Sequence, residues 1–269
     1  MSGDGRLRAC VFGLGEAGSP IAADLAAAGV DVHGHDPAEV PTPSGVCRHD
    51  DPRAAVDRAG LVLAVTAAAD ATTALTQALD TIPRGAVYAD LSTASAGLKR
   101  RLAGIAAGAG LRFVDVALMA PVPGTGLRTP ALASGPAAGD LVALLASHGM
   151  PVEHAGDEPG RAATRKLLRS VAAKGLTAVI IESLRAAEAA GLADETWENV
   201  TALLASADEA LVRRLVAGTG IHAGRRVHEM EAAAELLADL GVEPTMTRAT
   251  LAQLRQIAGD PGGLPDLPG

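Results

Sequence analysis

Four polar side chains on one predicted helix face are the group best suited to move a proton on an anionic molecule. Lys166, Arg169, Ser170 and Lys174 recur at intervals of three and four residues, which places them on one stripe of a helix. A free lysine has a pKa of about 10.4, and like charge with partial burial lowers that pKa toward neutrality. Lys166 is therefore the candidate general base or acid. Arg169 and Lys174 would hold a carboxylate or phosphate, and Ser170 would orient a reacting hydroxyl. A solvated cationic face on an acidic protein is the alternative.

One long helix must carry this stripe. The segment GRAATRKLLRSVAAKGLTAVIIESLRAAEAAG, residues 160–191, contains no proline and only Gly175 interrupts its interior. A helix of this length spans about 40 Å at about 1.5 Å per residue. Apolar residues surround the helix from Val179 to Ile181, so we expect its middle to be buried. Glu182 lies in this apolar part, and we expect it to be a hydrogen-bonded structural carboxylate rather than a second catalytic acid.

A glycine-rich turn near the N-terminus indicates a dinucleotide site. The apolar run Leu7 to Phe12 leads into a GxGxxG turn, a helical stretch follows to Ala28, and a second strand ends before Asp36, which lies 23 positions after Gly13. Strand, turn, helix, strand and acid in this order are far more specific than the glycines alone. The predicted cofactor-binding residues of the turn are Gly13, Leu14, Gly15, Glu16, Ala17 and Gly18.

The residues after the second strand favour NAD as the cofactor. A carboxylate at position 36 accepts hydrogen bonds from the ribose 2′-hydroxyl and repels a 2′-phosphate. No arginine follows directly, since Pro37, Ala38 and Glu39 come next. The sequence therefore predicts NAD, with NADP as the second possibility.

Further polar residues follow predicted strands of the same half. Thr66 comes after the continuous apolar run Leu61 to Val65, at the strand end where parallel sheets bind ligands. Ser92 and Thr93 open the loop after a predicted strand, Ala86 to Asp90. Their hydroxyls would either cap the next helix or contact a ligand. We predict Thr66 as a cofactor contact and Ser92 and Thr93 as substrate contacts.

The order of elements predicts an α/β fold with two domains. Strands and helices alternate up to residue 158, which predicts a Rossmann-type doubly wound sheet. Residues 159–258 show only helical periodicity and predict an all-helical substrate and dimerisation domain, with two separate helices at Ala207 to Val216 and Arg226 to Leu240. Residues 259–269 are rich in glycine and proline and predict a flexible tail. A thin helical core predicts a homodimer through this second half.

Composition excludes several classes of function. The net charge of −8 and the 1% aromatic content argue against a nucleic-acid surface. Cys10 and Cys47 lie in strand-like runs and are expected to be packed, reduced thiols. The seven histidines show no metal-ligand spacing, so no metal site is predicted. Neither a signal peptide nor a membrane span is apparent, and we expect a cytoplasmic protein.

Four motifs, in order along nearly the whole chain, resemble the β-hydroxyacid dehydrogenase superfamily, which includes 3-hydroxyisobutyrate and 6-phosphogluconate dehydrogenases. GLGEAGSPIAADLAAAGVDVHGHDP is similar to its nucleotide fingerprint, and DLSTASAG to its D-x-S-T loop. FVDVALMAPVPG lies where the family has its substrate loop, which implies a substrate contact at Met119. GRAATRKLLRS lies where the family has a catalytic lysine, and that lysine matches Lys166.

The departures from the family pattern leave the substrate open. Met119, Ala120 and Pro121 replace a serine and two glycines of the substrate loop, and Ser170 replaces an asparagine. The resemblance implies an NAD(P)-dependent dehydrogenase for a small anionic β-hydroxy acid or its oxo form. An imine reductase of similar fold is one alternative, although such enzymes usually lack the family lysine. A non-catalytic dinucleotide-binding sensor is another.

Overall fold

The computed structural model describes residues 6–268 of the chain. The first five residues of the predicted first domain and the last residue of the predicted tail lie outside this range. The chain divides into two compact units, Met1–Arg169 and Ser170–Gly269. The predicted domain boundary at residue 158 stays a prediction.

Eight strands of the first unit form one sheet. In chain order they are β1 Arg8–Phe12, β2 Asp31–His35, β3 Val46–Arg48, β4 Leu61–Ala64, β5 Val87–Asp90, β6 Arg112–Leu118, β7 Ala131–Ser134 and β8 Val152–His154. Their order across the sheet is β3-β2-β1-β4-β5-β6-β7-β8. All neighbours run parallel except β6 and β7, which pair antiparallel. The first six strands have the order of a dinucleotide-binding sheet, with the chain reversing direction across the sheet between β1 and β4.

Helices cover both faces of this sheet. They are α1 Gly18–Ala27, α2 Pro52–Ala55, α3 Ala71–Thr76, α4 Ala96–Gly108 and α5 Ala138–Ala146. Alternate residues of β1 show why two layers form: Ala9 and Val11 join the core under α1 and α5, whereas Cys10 and Phe12 join the core under α3 and α4. The predicted α/β class with a Rossmann-type sheet and a helical C-terminal region is confirmed.

Four helices make up the rest of the chain. They are α6 Arg161–Ala190, which begins in the first unit and continues into the second, α7 Ala193–Ala205, α8 Glu209–Asp239 and α9 Thr245–Gly259. The two helices predicted in the α8 region meet at a kink at His222, where φ is −115° and ψ is 15° and the backbone is not helical. Gly218, Gly220 and Gly224 weaken helix propensity around this kink.

Glu182 of α6 has the structural role expected of it. Its carboxylate accepts the backbone N–H groups of Met246 (2.7 Å) and Thr247 (2.8 Å) and the Thr247 hydroxyl (2.7 Å), so it caps the start of α9. Burial alone raises the pKa of Glu182, but these hydrogen bonds outweigh burial and the pKa lies below its ordinary value.

The apolar middle of α6 is only partly buried, contrary to the prediction. Val179 and Ile181 each keep 44% of their surface, and Val171 keeps 74%. Within the second unit, α7, α8 and α9 do not provide enough packing surface to cover a helix that is apolar nearly all round. Among the described residues, no helix has the length and apolar character needed to span a membrane.

Candidate functional site

The predicted ligand residues of the first unit follow the carboxyl ends of five neighbouring strands. In the spatial order β2, β1, β4, β5, β6, these residues are Asp36, the glycine turn from Gly13, Thr66, the pair Ser92 and Thr93, and Met119. In a parallel sheet this edge is where ligands bind, next to the strands at which the order reverses. The fold therefore assembles residues that lie up to 106 positions apart in the sequence, from 13 to 119.

The glycine turn has the backbone that a pyrophosphate requires. Gly13 has φ +86°, and a Cβ atom there would collide with the carbonyl oxygen of Val65. A Cβ on Gly18 would collide with the carbonyl oxygen of Gly13, so this glycine permits close packing of α1. Gly15, by contrast, has no neighbouring atom within 4 Å of the Cβ position. Its open side leaves room for a phosphate to approach the backbone at the start of α1.

Asp36 is held at the mouth of this turn. Its carboxylate accepts the backbone N–H of Leu14 (2.7 Å) and that of Ala38 (2.8 Å). Each oxygen retains a lone pair that can accept a ribose hydroxyl. Leu14 thus contributes its backbone to the site, while its side chain is buried in the core.

An arginine that the sequence did not indicate lies beside Asp36. Arg48, at the end of β3, donates to the backbone carbonyls of Asp36 (3.2 Å), Ala38 (2.6 Å) and Val40. Inspection of the residues directly after Asp36 could not reveal it, since it comes from the neighbouring edge strand. Its guanidinium organises the loop that follows β2, next to the position of a ribose 2′ substituent.

A cleft of about 290 Å³ lies between these elements. Four of the predicted cofactor residues line it: Gly13, Gly15, Asp36 and Thr66. The lining also includes side chains that the sequence did not single out: His35, Pro37, Asp70, Thr73 and Gln77. The Thr66 hydroxyl is buried and has no hydrogen-bond partner in the described part of the chain. An open glycine, a carboxylate and an unsatisfied hydroxyl around one cleft fit a dinucleotide.

Lys166 lies beside the loop that follows β5. Its Nζ donates to the Thr93 hydroxyl at 2.9 Å, joining two predicted site residues that are 73 positions apart. One helical turn further, Arg169 donates to the backbone carbonyl of Met119 at 2.7 Å. Four predicted site residues of the first unit are thus joined in two pairs.

Other predicted members are placed differently. Ser92 is buried, with 3% of its surface exposed. Its hydroxyl donates to Asp90 at 2.6 Å, so Ser92 stabilises the loop from the interior of the protein. The helix cap is Ser95, whose hydroxyl accepts the N–H of Leu98. Ser170 and Lys174 belong to the part of α6 in the second unit. Substrate contacts from Ser92, Ser170 and Lys174 stay predictions.

Comparison with known protein families agrees with this geometry. Residues 8–131 match the NAD binding domain of 6-phosphogluconate dehydrogenase, and residues 187–257 match a domain of unknown function, DUF1932. The first unit carries an NAD-binding domain of the 6-phosphogluconate dehydrogenase type. The cofactor prediction of NAD, with NADP possible, is thereby confirmed at the level of the domain.

Individual relatives support the same superfamily. An uncharacterised 28.5 kDa protein from Methanothermus fervidus is 29% identical over 146 residues, which are 54% of this chain and 57% of that protein. A conserved protein of unknown function, described as structurally similar to 3-hydroxyacid dehydrogenases, is 26% identical, with 95% of this chain and 99% of that chain covered and a TM-score of 0.61. These matches support the β-hydroxyacid dehydrogenase superfamily that the motifs indicate.

The fold is also shared with an imine reductase from Myxococcus stipitatus. A variant in complex with NAD+ is 17% identical with a TM-score of 0.80, and the alignment covers 96% of this chain and 95% of that chain. The enzyme with NADP+ gives 18% identity and a TM-score of 0.78 over 96% and 95% of the two chains. At this identity the likeness concerns the fold alone.

A network of buried ionic contacts in the first unit holds the start of α6 in place. Lys99 of α4 is fully buried and contacts the carboxylates of both Asp90 and Asp115, the latter at 3.1 Å. Asp115 accepts the N–H of Ala163 at 2.9 Å, and Ser134 accepts that of Ala162 at 2.9 Å. These acceptors satisfy two N–H groups that the first turn of a helix leaves unpaired.

The same network reaches the loop that contains Thr93. Asp90, at the end of β5, accepts both Lys99 and the Ser92 hydroxyl. Gly160, just before α6, has φ +95°, and a Cβ there would lie 2.9 Å from the carbonyl oxygen of Ala96. Lys99 thus ties together the two segments that present Lys166 and Thr93. Sequence reasoning missed it because a single lysine on a helix is normally solvated.

Proposed function

We propose that this protein is an NAD(P)-dependent oxidoreductase that transfers a hydride between nicotinamide and a small anionic β-hydroxy acid or its oxo form. The observation that carries the proposal is the 2.9 Å contact between Lys166 Nζ and the Thr93 hydroxyl. It puts a titratable amine at the end of β5, the strand next to β4, whose C-terminal end is followed by Thr66 in the nucleotide cleft. A proton-transfer group and a nucleotide cleft on one sheet edge are what a dehydrogenase needs.

Lys166 provides the proton chemistry in this proposal. Oxidation of an alcohol removes a hydride from carbon and a proton from oxygen, and reduction of the oxo form restores both. Nicotinamide, when bound, supplies the hydride half. Lys166 accepts the hydroxyl proton in oxidation and returns it in reduction, a role that contributes about 10²–10⁴-fold to a rate. Thr93 fixes the direction of the amine by accepting its hydrogen bond.

In this proposal, cationic side chains that follow Lys166 bind the anionic group of the substrate. Arg169 uses one donor for the Met119 carbonyl, and a guanidinium has five, so it can still bind a carboxylate in a bidentate manner. Arg165 differs, because it forms an ion pair of 2.6 Å with Glu153 and is committed to that carboxylate. We include Ser170 and Lys174 in the proposed substrate group on their helical spacing alone.

The decisive experiment is a fluorescence assay of NAD(P)H with a panel of hydroxy and oxo acids, with and without a phosphate group. The Lys166→Ala variant is expected to lose about 10²–10⁴-fold in kcat while its affinity for NAD changes little. Arg165→Ala is the matched control, since it removes an adjacent cation whose partner is Glu153. Normal turnover by Lys166→Ala would remove the general-base assignment.

The same assay separates the two alternatives when cyclic imines are added to the panel. An imine reductase would turn over cyclic imines rather than hydroxy acids. A dinucleotide sensor would bind NAD with no turnover of any substrate. The contact of Lys166 with Thr93 favours the dehydrogenase over the sensor, because a protein without turnover needs no proton-transfer group. The presence of a lysine at position 166 argues against the imine reductase, since such enzymes usually lack the family lysine.

We further propose a cytoplasmic homodimer that associates through the helical second unit. The apolar side chains that this unit exposes support the dimer, and the absence of any predicted disulfide supports a reducing compartment.

A further inference from the structure

Three side chains with metal-ligating atoms converge at the β2–β3 edge of the sheet. The parallel register pairs His33 of β2 with Cys47 of β3, so both side chains leave the sheet on the same face. His49 follows directly after β3. One ligand atom from each residue can be chosen so that all three lie within 4.8 Å of one another. No spacing along the sequence predicts this group, because the sheet register creates it.

The contacts of His33 leave one ring nitrogen available for a metal. Its Nε2 lies 3.3 Å from a carboxylate oxygen of Asp31, which places the ring proton on Nε2. Its Nδ1 then carries a lone pair and lies 2.7 Å from Nε2 of His49. A carboxylate behind a ligating histidine is the usual outer partner in protein metal sites, where it fixes the tautomer and the ring orientation.

One contact opposes metal binding. The Arg8 guanidinium lies 3.1 Å from Nδ1 of His33, and its Nε lies 3.7 Å from Asp31. A metal ion on Nδ1 would displace this hydrogen bond, and the guanidinium would keep Asp31 as its partner. The positive charge lowers the affinity of the site but blocks neither His49 nor Cys47.

The cluster is shielded from solvent at His33 and open to solvent at Cys47. His33 keeps 8% of its surface, His49 is half-buried and Cys47 is exposed. An ion can therefore enter from solvent on the Cys47 side. This exposure also corrects the expectation that both cysteines are packed, since only Cys10 is buried.

We propose that His33, Cys47 and His49 form a binding site for a divalent transition-metal ion of the Zn²⁺ class. One thiolate and two imidazoles suit this borderline-soft ion, and three protein ligands leave a fourth tetrahedral position for water. Binding replaces the thiol proton of Cys47, which passes to solvent. The site adjoins the nucleotide cleft, because His35 lines the cleft and its Nδ1 lies 3.0 Å from the carbonyl oxygen of His49.

The test is a titration of chelator-treated protein with Co²⁺, a spectroscopic substitute for Zn²⁺. We expect one equivalent of Co²⁺ to produce a thiolate-to-cobalt charge-transfer band, which stoichiometric Zn²⁺ removes. Cys47→Ser should abolish the band. His49→Gln and Asp31→Asn should each weaken binding by at least about 10-fold. His154→Gln is the matched control, because His154 is an exposed strand histidine that lies beside Asp157.

A second measurement requires no variant. Cys47 is the exposed thiol and Cys10 has no exposed surface, so a thiol reagent reports on Cys47 alone in the folded protein. Stoichiometric Zn²⁺ should slow this modification at least about 10-fold if the thiolate is a ligand. The proposal is overturned if Co²⁺ gives no charge-transfer band, if Cys47→Ser retains the band, or if Zn²⁺ leaves the modification rate unchanged.

Discussion

Asp36 has two roles, whereas the sequence motif assigns it only the binding of the ribose. Its carboxylate is predicted to bind the adenosine ribose, and in the structure it holds the glycine turn through the N–H of Leu14. Arg48 lies close by and is engaged with backbone carbonyls of the same loop. Cofactor choice therefore depends on a balance between a carboxylate that repels a 2′-phosphate and a guanidinium that attracts one.

Replacing Asp36 separates these tasks. Asp36→Ala is expected to weaken NAD binding by about 2 kcal/mol, the cost of a charge-assisted hydrogen bond, or roughly 30-fold, and NADP binding much less. Asp36→Asn keeps an acceptor for Leu14 and removes the charge, so it should shift preference toward NADP with the turn intact. The affinities for the two cofactors are measured as dissociation constants from NADH and NADPH fluorescence. Equal losses for the two cofactors in both variants would mean that the residue only supports the turn.

The structure brings predicted site residues together where spacing along the chain carries the chemistry. The glycine turn, Asp36 and Thr66 were all predicted, and they meet at one cleft. Arg48 and Lys99 were not, because the packing of strands and helices, rather than a motif, brings each beside its partners. The cluster around Cys47 was missed for the same reason.

At the scale of elements, the position of Lys166 depends on how α6 is attached to the sheet. The attachment is a chain of buried polar contacts from Asp90 through Lys99 and Asp115 to the first N–H groups of the helix. A buried cation between two carboxylates is weak evidence for stability by itself, but removal of the cation leaves uncompensated buried charge.

Lys99→Met is therefore expected to lower the free energy of unfolding of the first unit by about 3–5 kcal/mol, measured by urea denaturation. Lys99→Met combined with Asp90→Asn and Asp115→Asn removes the stranded charges and should recover a large part of the loss. Arg100→Met is the control, as Arg100 is an exposed neighbour on the same helix. A Lys99→Met protein as stable as the wild type would show that the ionic network does not hold these segments together.

The sequence predicts the ends of a strand well where an apolar run is flanked by turn residues. Strands β1, β4 and β5 begin and end within one residue of the predicted segments Leu7 to Phe12, Leu61 to Val65 and Ala86 to Asp90, since a glycine flanks each of them. The glycines of the α8 region predict a break, and the backbone leaves helical geometry at His222, between the two predicted helices. Local propensity was informative here, since glycine weakens a helix interior.

At the scale of the whole molecule, the helical second unit exposes more apolar surface than an isolated chain should. Ile221 and Val171 keep 76% and 74% of their surface, and Trp197 keeps 57%. A groove of about 370 Å³, lined mainly by apolar side chains of α6, α8 and α9, adds to this surface. Large contiguous apolar patches mark interaction sites in soluble proteins.

We therefore predict a dimer whose mass is about twice the 26.9 kDa of one chain, measured by sedimentation or light scattering across a dilution series. A stable dimer of standard size buries about 1,600 Å², and the exposed positions of the second unit are the apolar surface available for it. Val171→Glu and Ile221→Glu together should shift the protein to monomers, because each would bury a charge in the interface. Ala107→Glu, an exposed change on α4 of the first unit, should leave the dimer intact.

A wild-type protein that sediments as one chain at every concentration would contradict the prediction. The exposed face of α6 would then need another partner, since its apolar residues lose solvent contact only through association.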